Sequence, residues 1–249
     1  MKKIDSFIND IDLILSSVYE FESIDVPLKS ATLCSLAYKS HKDVTDEMNS
    51  DFTNIDFFDV NDIQYYIIKN GRTILFLFRG TDSLKDIKAD IDITRTDTKY
   101  GKLHTGFLNS WAHIKDNVLE NADKYDLIKC YGHSYGGALA MISSLFISEE
   151  LFKRVHCYTF GCPRVGDSKF AKNFNKHIGV HRRYVDSSDP VIRIPSAVRF
   201  THAGIQINID NRPLYKRLFY KALYLMRGRI FHGHKMSHYV ELCKKYNLS

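Results

Sequence analysis

The central part of the chain alternates between two hydrophobic periodicities. Short runs rich in β-branched and aromatic residues predict strands at 63–68, 73–78, 127–131, 155–160, 180–185 and 204–209. Between them, apolar residues recur at helical spacing and predict helices at 106–122, 134–148 and 167–177. Strands that alternate with helices indicate an α/β fold, with a mostly parallel central sheet and helices on both faces.

The front of the sheet is expected to differ from the rest. Asn70-Gly71 separates the first two predicted strands, and this dipeptide is a strong signal for an antiparallel hairpin. Outside the alternating region, further helices are predicted at 4–18, 28–39, 213–227 and 235–246. The sequence contains no repeat, low-complexity tract or linker-like stretch, which favours a single domain over 1–249.

Composition narrows the class of protein further. With 249 residues, 44% of them hydrophobic and 26% charged, the chain resembles an ordinary globular domain rather than a disordered one. No apolar run approaches the ~20 residues that span a bilayer. The net charge of +6 is moderate and its basic residues cluster near the C-terminus, so it gives no argument for a nucleic-acid partner.

Cysteine usage and the first residues bear on the compartment. The five cysteines are scattered without metal-ligand spacing, and their odd number favours reduced thiols. The chain begins with Met1-Lys2-Lys3, but Asp5, Asp10 and Asp12 interrupt the apolar core that a signal peptide would need. Together these observations predict a cytoplasmic protein.

One short motif carries recognisable chemistry. Gly132-His133-Ser134-Tyr135-Gly136 lies between a predicted strand and a helix of small residues, as a G-x-S-x-G turn requires. The glycines two residues before and after the serine allow a sharp turn that exposes the hydroxyl. The turn also places a helix N-terminus beneath a developing oxyanion. An ordinary glycine-rich turn is the alternative, and the flanking strand and helix favour a nucleophilic Ser134.

Five segments in a fixed order make the resemblance specific. They are Phe78-Arg79-Gly80-Thr81, His104-Thr105-Gly106-Phe107, the serine motif, the segment from Phe160 to Asp167, and Asp189-Pro190-Val191. With these segments the chain resembles the class 3 lipases, the fungal-lipase-like family of α/β-hydrolases, over roughly residues 28–240. The resemblance implies an α/β-hydrolase fold and a Ser-Asp-His triad.

The acid of the triad is expected on the loop after the strand at 180–185. The resemblance assigns it to Asp189, which precedes Pro190 and would lie on the loop that follows the carboxyl end of that strand. Asp186 is the nearest rival, at a position that is often asparagine in the family. Asp189 could also serve only as an Asp-Pro turn former.

The base is expected among three histidines near the C-terminus. In the family the base precedes a helix that carries a tyrosine, and His234 with Tyr239 fits the form H-x-x-x-x-Y. The second family form, H-x-x-Y, has no match at any of the three histidines. His238 is the rival base. The H-x-H spacing of His232 and His234 also suits zinc, but cysteine or carboxylate partners are missing nearby, and we expect no metal.

Two backbone donors are expected to form an oxyanion hole. One is the N–H of Tyr135, the residue after the serine. The other, implied by the resemblance, is Thr81, through its N–H and its hydroxyl. Family members more often have leucine at the position of Tyr135, a change that leaves the backbone donor in place. His133 and His104 match family positions without a catalytic role, which predicts structural roles for both.

Two apolar surfaces are candidates for contact with lipid. Leu84, Ile87 and Ile91 share one face of a short predicted helix, and in the family the segment at 83–91 is the lid over the active site. A helix packed permanently on the core is the alternative. Residues 214–227 have an apolar side and a basic side. Core packing of the apolar side is favoured over binding to an anionic membrane.

The sequence therefore predicts a lipid ester hydrolase that acts on an acylglycerol or a phospholipid through an acyl-enzyme, without a cofactor. The expected partners are the lipid ester and, at the periphery, a membrane or lipid-droplet surface. Two alternatives remain: an esterase for small soluble esters, and a membrane-docking protein with a vestigial hydrolase site.

Overall fold

The sheet at the centre of the protein has seven strands. In the computed structural model, which describes residues 27–48, 55–81, 94–216, 219 and 232–246, the strand order is β1-β2-β3-β6-β7-β8-β9. The first three strands are antiparallel neighbours, and every later pairing is parallel. A separate two-stranded ribbon contains β4 and β5.

The helices and strands follow one another largely as the hydrophobic pattern predicts. The strands are β1 Ile55–Val60, β2 Ile63–Asn70, β3 Thr73–Phe78, β4 Arg95–Thr98, β5 Gly101–His104, β6 Leu127–His133, β7 Arg154–Phe160, β8 Val180–Val185 and β9 Ile205–Asn208. The helices are α1 Pro27–Leu36, α2 His41–Met48, α3 Thr105–Asp123, α4 Tyr135–Leu151, α5 Ser168–His177 and α6 Met236–Lys245. Short 3₁₀ turns occupy Val191–Arg193 and His232–His234.

Two helical layers enclose the sheet. Ile74 and Phe76 of β3 belong to a core that α3, α4 and α5 cover, whereas Leu75 and Leu77 belong to a second core beneath α1 and α6. This alternation arises because successive side chains of a strand point to opposite faces. The prediction of a mostly parallel sheet with helices on both faces is confirmed, and the two cores pack on opposite faces of β6 through Cys130 and Tyr131.

The front hairpin forms as predicted, with a register one residue different from the one that Asn70-Gly71 suggested. Asn70 pairs with Thr73, so the two loop residues are Gly71 and Arg72. Gly71 has a φ of 53°, whereas Arg72 does not have a positive φ. A turn with a positive φ at its first central residue only is of type II′, which favours glycine at that place.

Four elements have no counterpart in the hydrophobic pattern. Strand β1 lies at the edge of the sheet and mixes apolar residues with two aspartates at no regular spacing, and the helix α2 is largely polar. Strands β4 and β5 have only four residues each. Because short or edge elements bury few side chains, their sequences carry a weak periodic signal.

Several sequence predictions fall on residues outside the described ranges. These are the N-terminal helix at 4–18, the segment at 83–91 and most of the helix at 213–227. Within the last, Leu214 and Phe219 were expected on a buried face but are 68% and 62% exposed. Core packing is therefore wrong for these two side chains. In the parts of the chain that the structure describes, no helix has both the length and the apolar character to cross a membrane.

All five cysteines lie in the protein interior and none forms a disulfide. Burial raises the pKa of each thiol, to about 12 for Cys130, Cys162 and Cys243. These side chains thus behave as small apolar core residues.

Candidate active site

The serine motif forms a tight turn between β6 and α4. Ser134 has φ 57° and ψ −126°, a strained conformation for a residue with a side chain. The glycines around it are required by close contacts. A Cβ added to Gly132 would lie 2.1 Å from the Gly136 oxygen, and one added to Gly136 would lie 2.2 Å from the Phe78 oxygen. The turn is therefore wedged against the end of β3.

The close contact at Gly136 gives a test of this turn. Gly136→Ala is expected to lower the free energy of unfolding by about 1–3 kcal/mol, because the added methyl must push back the carbonyl of Phe78. Gly179→Ala is the matched control, since a Cβ there meets no heavy atom within 4 Å. Urea denaturation of both variants measures the difference. Equal midpoints would show that the turn is not wedged against β3.

Ser134, His234 and Asp189 form one hydrogen-bonded chain. The Ser134 hydroxyl lies 2.7 Å from His234 Nε2, and His234 Nδ1 lies 2.8 Å from Asp189 Oδ2. A carboxylate only accepts hydrogen bonds, so Nδ1 carries the imidazole proton and Nε2 accepts the proton of the serine hydroxyl. Ser134 is 1% exposed and the other two are fully buried, which strengthens these electrostatic contacts.

Two further donors hold the carboxylate of Asp189. The Tyr239 hydroxyl donates to Oδ2 at 2.7 Å, and the Val191 N–H donates to Oδ1 at 2.8 Å. Burial, followed by the neighbouring Asp189, raises the pKa of Tyr239 well above its ordinary value, so the phenol stays protonated and keeps donating. Tyr239 is the tyrosine that the H-x-x-x-x-Y spacing singled out.

The two rival residues pair with each other instead. His238 Nε2 lies 2.9 Å from Asp186 Oδ2, and the Ser188 hydroxyl donates to the same oxygen at 2.6 Å. Burial acts to raise the pKa of Asp186, but the hydrogen bonds from His238 and Ser188 outweigh it and lower the pKa. This pair lies next to the hydrogen-bonded chain of Ser134, His234 and Asp189, because the Asp186 N–H donates at 3.2 Å to the oxygen of Tyr239, which itself donates to Asp189. Sequence reasoning named both residues but not this pairing.

The three C-terminal histidines do not converge on one point. Both ring nitrogens of His234 are engaged by Ser134 and Asp189, and His238 turns to Asp186. His232 packs its ring edge-on against His238, with centroids 5.4 Å apart. Among the described residues, no group of three or more histidine, cysteine or acidic side chains could hold a metal ion.

The two residues expected in the oxyanion hole border the serine. Tyr135 is the first residue of α4, so its N–H has no acceptor one turn earlier in the helix. Gly80, which precedes Thr81, is so close that an added Cβ would lie 3.2 Å from Ser134 Cβ. The phenol of Tyr135 is held against α3 by a hydrogen bond to Ser110 and by an edge-on contact with Phe107.

Thr81 stands between two clefts. A cleft of about 390 Å³ is bordered by Thr81 and His234, and its other lining residues are Ser35, Tyr38, His133, Lys235, Met236 and Ser237. A second cleft of about 350 Å³ also reaches Thr81, and its other lining residues are Asp62, Ile63, Gln64, Arg79, Gly80 and Tyr135. Tyr38 is a site residue that the sequence analysis missed, because nothing in its local pattern distinguishes it from other tyrosines.

The arrangement of sheet, helices and serine turn is that of an α/β-hydrolase. The lipase from Rhizopus microsporus var. chinensis has a similar structure, with a TM-score of 0.62 and 25% identity over 77% of each chain. The family model of the class 3 lipases matches residues 75–199, which is half of the chain. The chain therefore belongs to the class 3 lipase family, as its five motifs suggested.

Curated relatives match over part of their length. A lipase of Rhizomucor miehei is 34% identical over 162 residues, which are 57% of this chain and 43% of that protein. A secreted mono- and diacylglycerol lipase of Fusarium solani is 31% identical over 121 residues, which are 46% of this chain and 36% of that protein. The chain thus spans about two fifths of the length of these relatives.

These relatives correct the predicted compartment. The Fusarium solani protein is described as secreted, so the prediction of a cytoplasmic protein is wrong. The physical weakness of that prediction lies in the cysteines. Because all five thiols are buried, they are shielded from the surrounding redox conditions, and their reduced state carries no information about the compartment.

Proposed function

We propose that the chain hydrolyses a carboxylic ester of a lipid, with Ser134 as nucleophile, His234 as base and Asp189 as the acid that orients it. The observation that carries this proposal is the buried chain of hydrogen bonds of 2.7 Å and 2.8 Å among the three side chains. It combines a nucleophile, a base within reach of its proton and a carboxylate that fixes the imidazole tautomer.

The reaction follows from these proton positions. His234 Nε2 takes the hydroxyl proton while Ser134 Oγ bonds to the carbonyl carbon, and the carbonyl oxygen becomes an oxyanion. The N–H groups of Thr81 and Tyr135 would stabilise that charge. The bond to the alcohol then breaks, and its oxygen takes the proton from Nε2. Water releases the acyl group by the same steps, with His234 again as base.

A lipid ester is the substrate class that the relatives and the cleft support. The curated relatives are described as lipases, one of them for mono- and diacylglycerols. The cleft beside His234 has apolar walls from Tyr38 and Met236, which suit an aliphatic chain. Leu214, Tyr215 and Phe219 are exposed by 60% or more of their surface and support peripheral contact with a lipid surface.

Two measurements test the proposal. A fluorophosphonate probe should label Ser134 in the wild-type protein, and labelling excludes a vestigial site. Hydrolysis of triolein and phosphatidylcholine should then exceed hydrolysis of a short-chain nitrophenyl ester at equal ester concentration. A preference for the soluble ester would support the small-ester esterase instead, and absence of labelling would contradict hydrolysis at Ser134.

A further inference from the structure

A second chain of hydrogen bonds runs from Gly80 through Tyr38 and His133 to the backbone of His234, and it is separate from the hydrogen bonds of the proposed triad. The Gly80 N–H donates to the Tyr38 oxygen at 3.2 Å, and the Tyr38 oxygen lies 2.6 Å from His133 Nδ1. On the other side of the same ring, His133 Nε2 lies 2.6 Å from the backbone oxygen of His234. The His133 and His234 rings also pack together, with centroids 4.7 Å apart.

The direction of every proton in this chain is fixed. The His234 carbonyl can only accept, so His133 Nε2 carries a proton and donates it. Burial lowers the pKa of His133 well below its ordinary value, and the ring is neutral. A neutral imidazole has one N–H, so Nδ1 accepts and the Tyr38 hydroxyl donates to it. The Tyr38 oxygen in turn accepts the N–H of Gly80.

The chain joins three backbone segments that meet at Ser134. Gly80 leads into Thr81, His133 immediately precedes the serine, and the carbonyl at the far end belongs to His234 itself. Tyr38, which lies just beyond the end of α1, supplies the link between the first segment and the other two. The contact with Gly80 is close, because a Cβ added there would lie 2.3 Å from the Tyr38 oxygen.

We propose that Tyr38 and His133 are positioning residues, which hold the Thr81 loop and His234 in register with Ser134. This inference rests on the proposed function, and it gives His133 a role beyond the structural one expected from sequence. The ring of Tyr38 also borders the cleft, but the positioning role uses only its hydroxyl, which Tyr38→Phe removes while the ring stays in place. Each side chain acts through a backbone group, so its loss is expected to slow turnover by misplacing the donor or the base, not to abolish the chemistry.

Three substitutions separate the two halves of the chain. Tyr38→Phe removes the hydroxyl that serves the Thr81 loop. In His133→Gln the side-chain nitrogen can still donate to the His234 carbonyl, but the acceptor for Tyr38 is lost. In His133→Asn the side-chain oxygen can still accept from Tyr38, but the donor to His234 is lost. Tyr65→Phe is the matched control, because the Tyr65 hydroxyl donates to Asn117 Oδ1 at 2.8 Å, away from the site.

The readouts distinguish positioning from a general contribution to stability. We expect Tyr38→Phe and both His133 variants to lower kcat about 10- to 100-fold per fluorophosphonate-titrated site, with KM changed less than twofold. The ¹H NMR signal of the His234 Nδ1 proton should shift more in His133→Asn than in His133→Gln, because both variants lose the neighbouring ring but only His133→Asn loses the donor to the His234 carbonyl. The signal should stay in place in Tyr38→Phe. Tyr65→Phe should keep the wild-type kcat. A wild-type kcat in Tyr38→Phe and both His133 variants would overturn the proposal.

The design also separates this inference from the proposed function. If the wild-type protein neither labels at Ser134 nor turns over esters, the proposed function fails on that result alone. The NMR signal still decides the inference, because it requires no substrate. A larger shift in His133→Asn than in His133→Gln would then support the positioning of His234, and equal shifts in the two variants would contradict it.

Discussion

Ser134→Ala is expected to lower ester hydrolysis by a factor on the order of 10⁶, as loss of the nucleophile does in a serine protease. The hydroxyl is the group that would form the acyl-enzyme, and His234 Nε2 faces it at 2.7 Å. Steady-state hydrolysis of a nitrophenyl ester measures the loss, with the thermal midpoint as a check on folding.

Ser144→Ala is the matched control for this substitution. Ser144 is a buried serine on the same helix, and its hydroxyl donates to the Ala140 oxygen at 2.7 Å, one turn before it. This variant should keep wild-type activity, because its hydroxyl bonds to the helix backbone and to the buried thiols of Cys130 and Cys157, not to the proposed triad. If Ser134→Ala retained more than a trace of activity in a folded protein, another nucleophile would have to be sought.

Asp189→Asn should lower the rate by about 10⁴, the loss found when the corresponding acid of a serine protease becomes an amide. If the new side-chain oxygen accepts from the Val191 N–H, as Oδ1 does now, the amide NH₂ faces His234 Nδ1. An NH₂ group can only donate, so His234 would move its proton to Nε2. The imidazole could then no longer take the proton of the Ser134 hydroxyl.

Asp186→Asn is the control for this second substitution, and it changes a buried aspartate that also pairs with a histidine. The Asp186–His238 pair does not contact Ser134, so we expect a loss of activity below about tenfold, together with some loss of stability. Comparing kcat for the two variants ranks the two carboxylates. The reverse ranking would assign the acid to Asp186.

The parts of the fold that could be predicted are those that bury regular faces. Strand β8 has the limits that the sequence predicts. Strand β3 buries residues in both cores, so its sequence is a continuous apolar run that predicts a strand strongly. Strand β1 and the ribbon of β4 and β5 were missed because each is short or half-exposed. The loop between β2 and β3 lies one residue later than predicted, because both Asn70-Gly71 and Gly71-Arg72 are compatible with tight turns.

In the candidate site, the sequence indicated residues whose neighbours carry a pattern. The flanking glycines of the G-x-S-x-G motif indicate Ser134, and a tyrosine five residues later, Tyr239, indicates His234. The contacts of Tyr38 and the pairing of Asp186 with His238 join residues 95 and 52 positions apart. Such contacts depend on how helices pack across the sheet. A single sequence contains no local pattern that predicts such long-range contacts.

The reactivity of the buried cysteines toward a thiol reagent would report local or global unfolding of the protein. A thiol reagent attacks the thiolate, and the raised pKa of every cysteine keeps that form scarce while the fold is closed. Labelling therefore proceeds only through states in which a cysteine meets solvent. Cys34 and Cys243 lie in the helices over one face of the sheet, whereas Cys130 and Cys157 lie in adjacent central strands. The order in which the four react would reveal whether the helical layer detaches before the sheet comes apart.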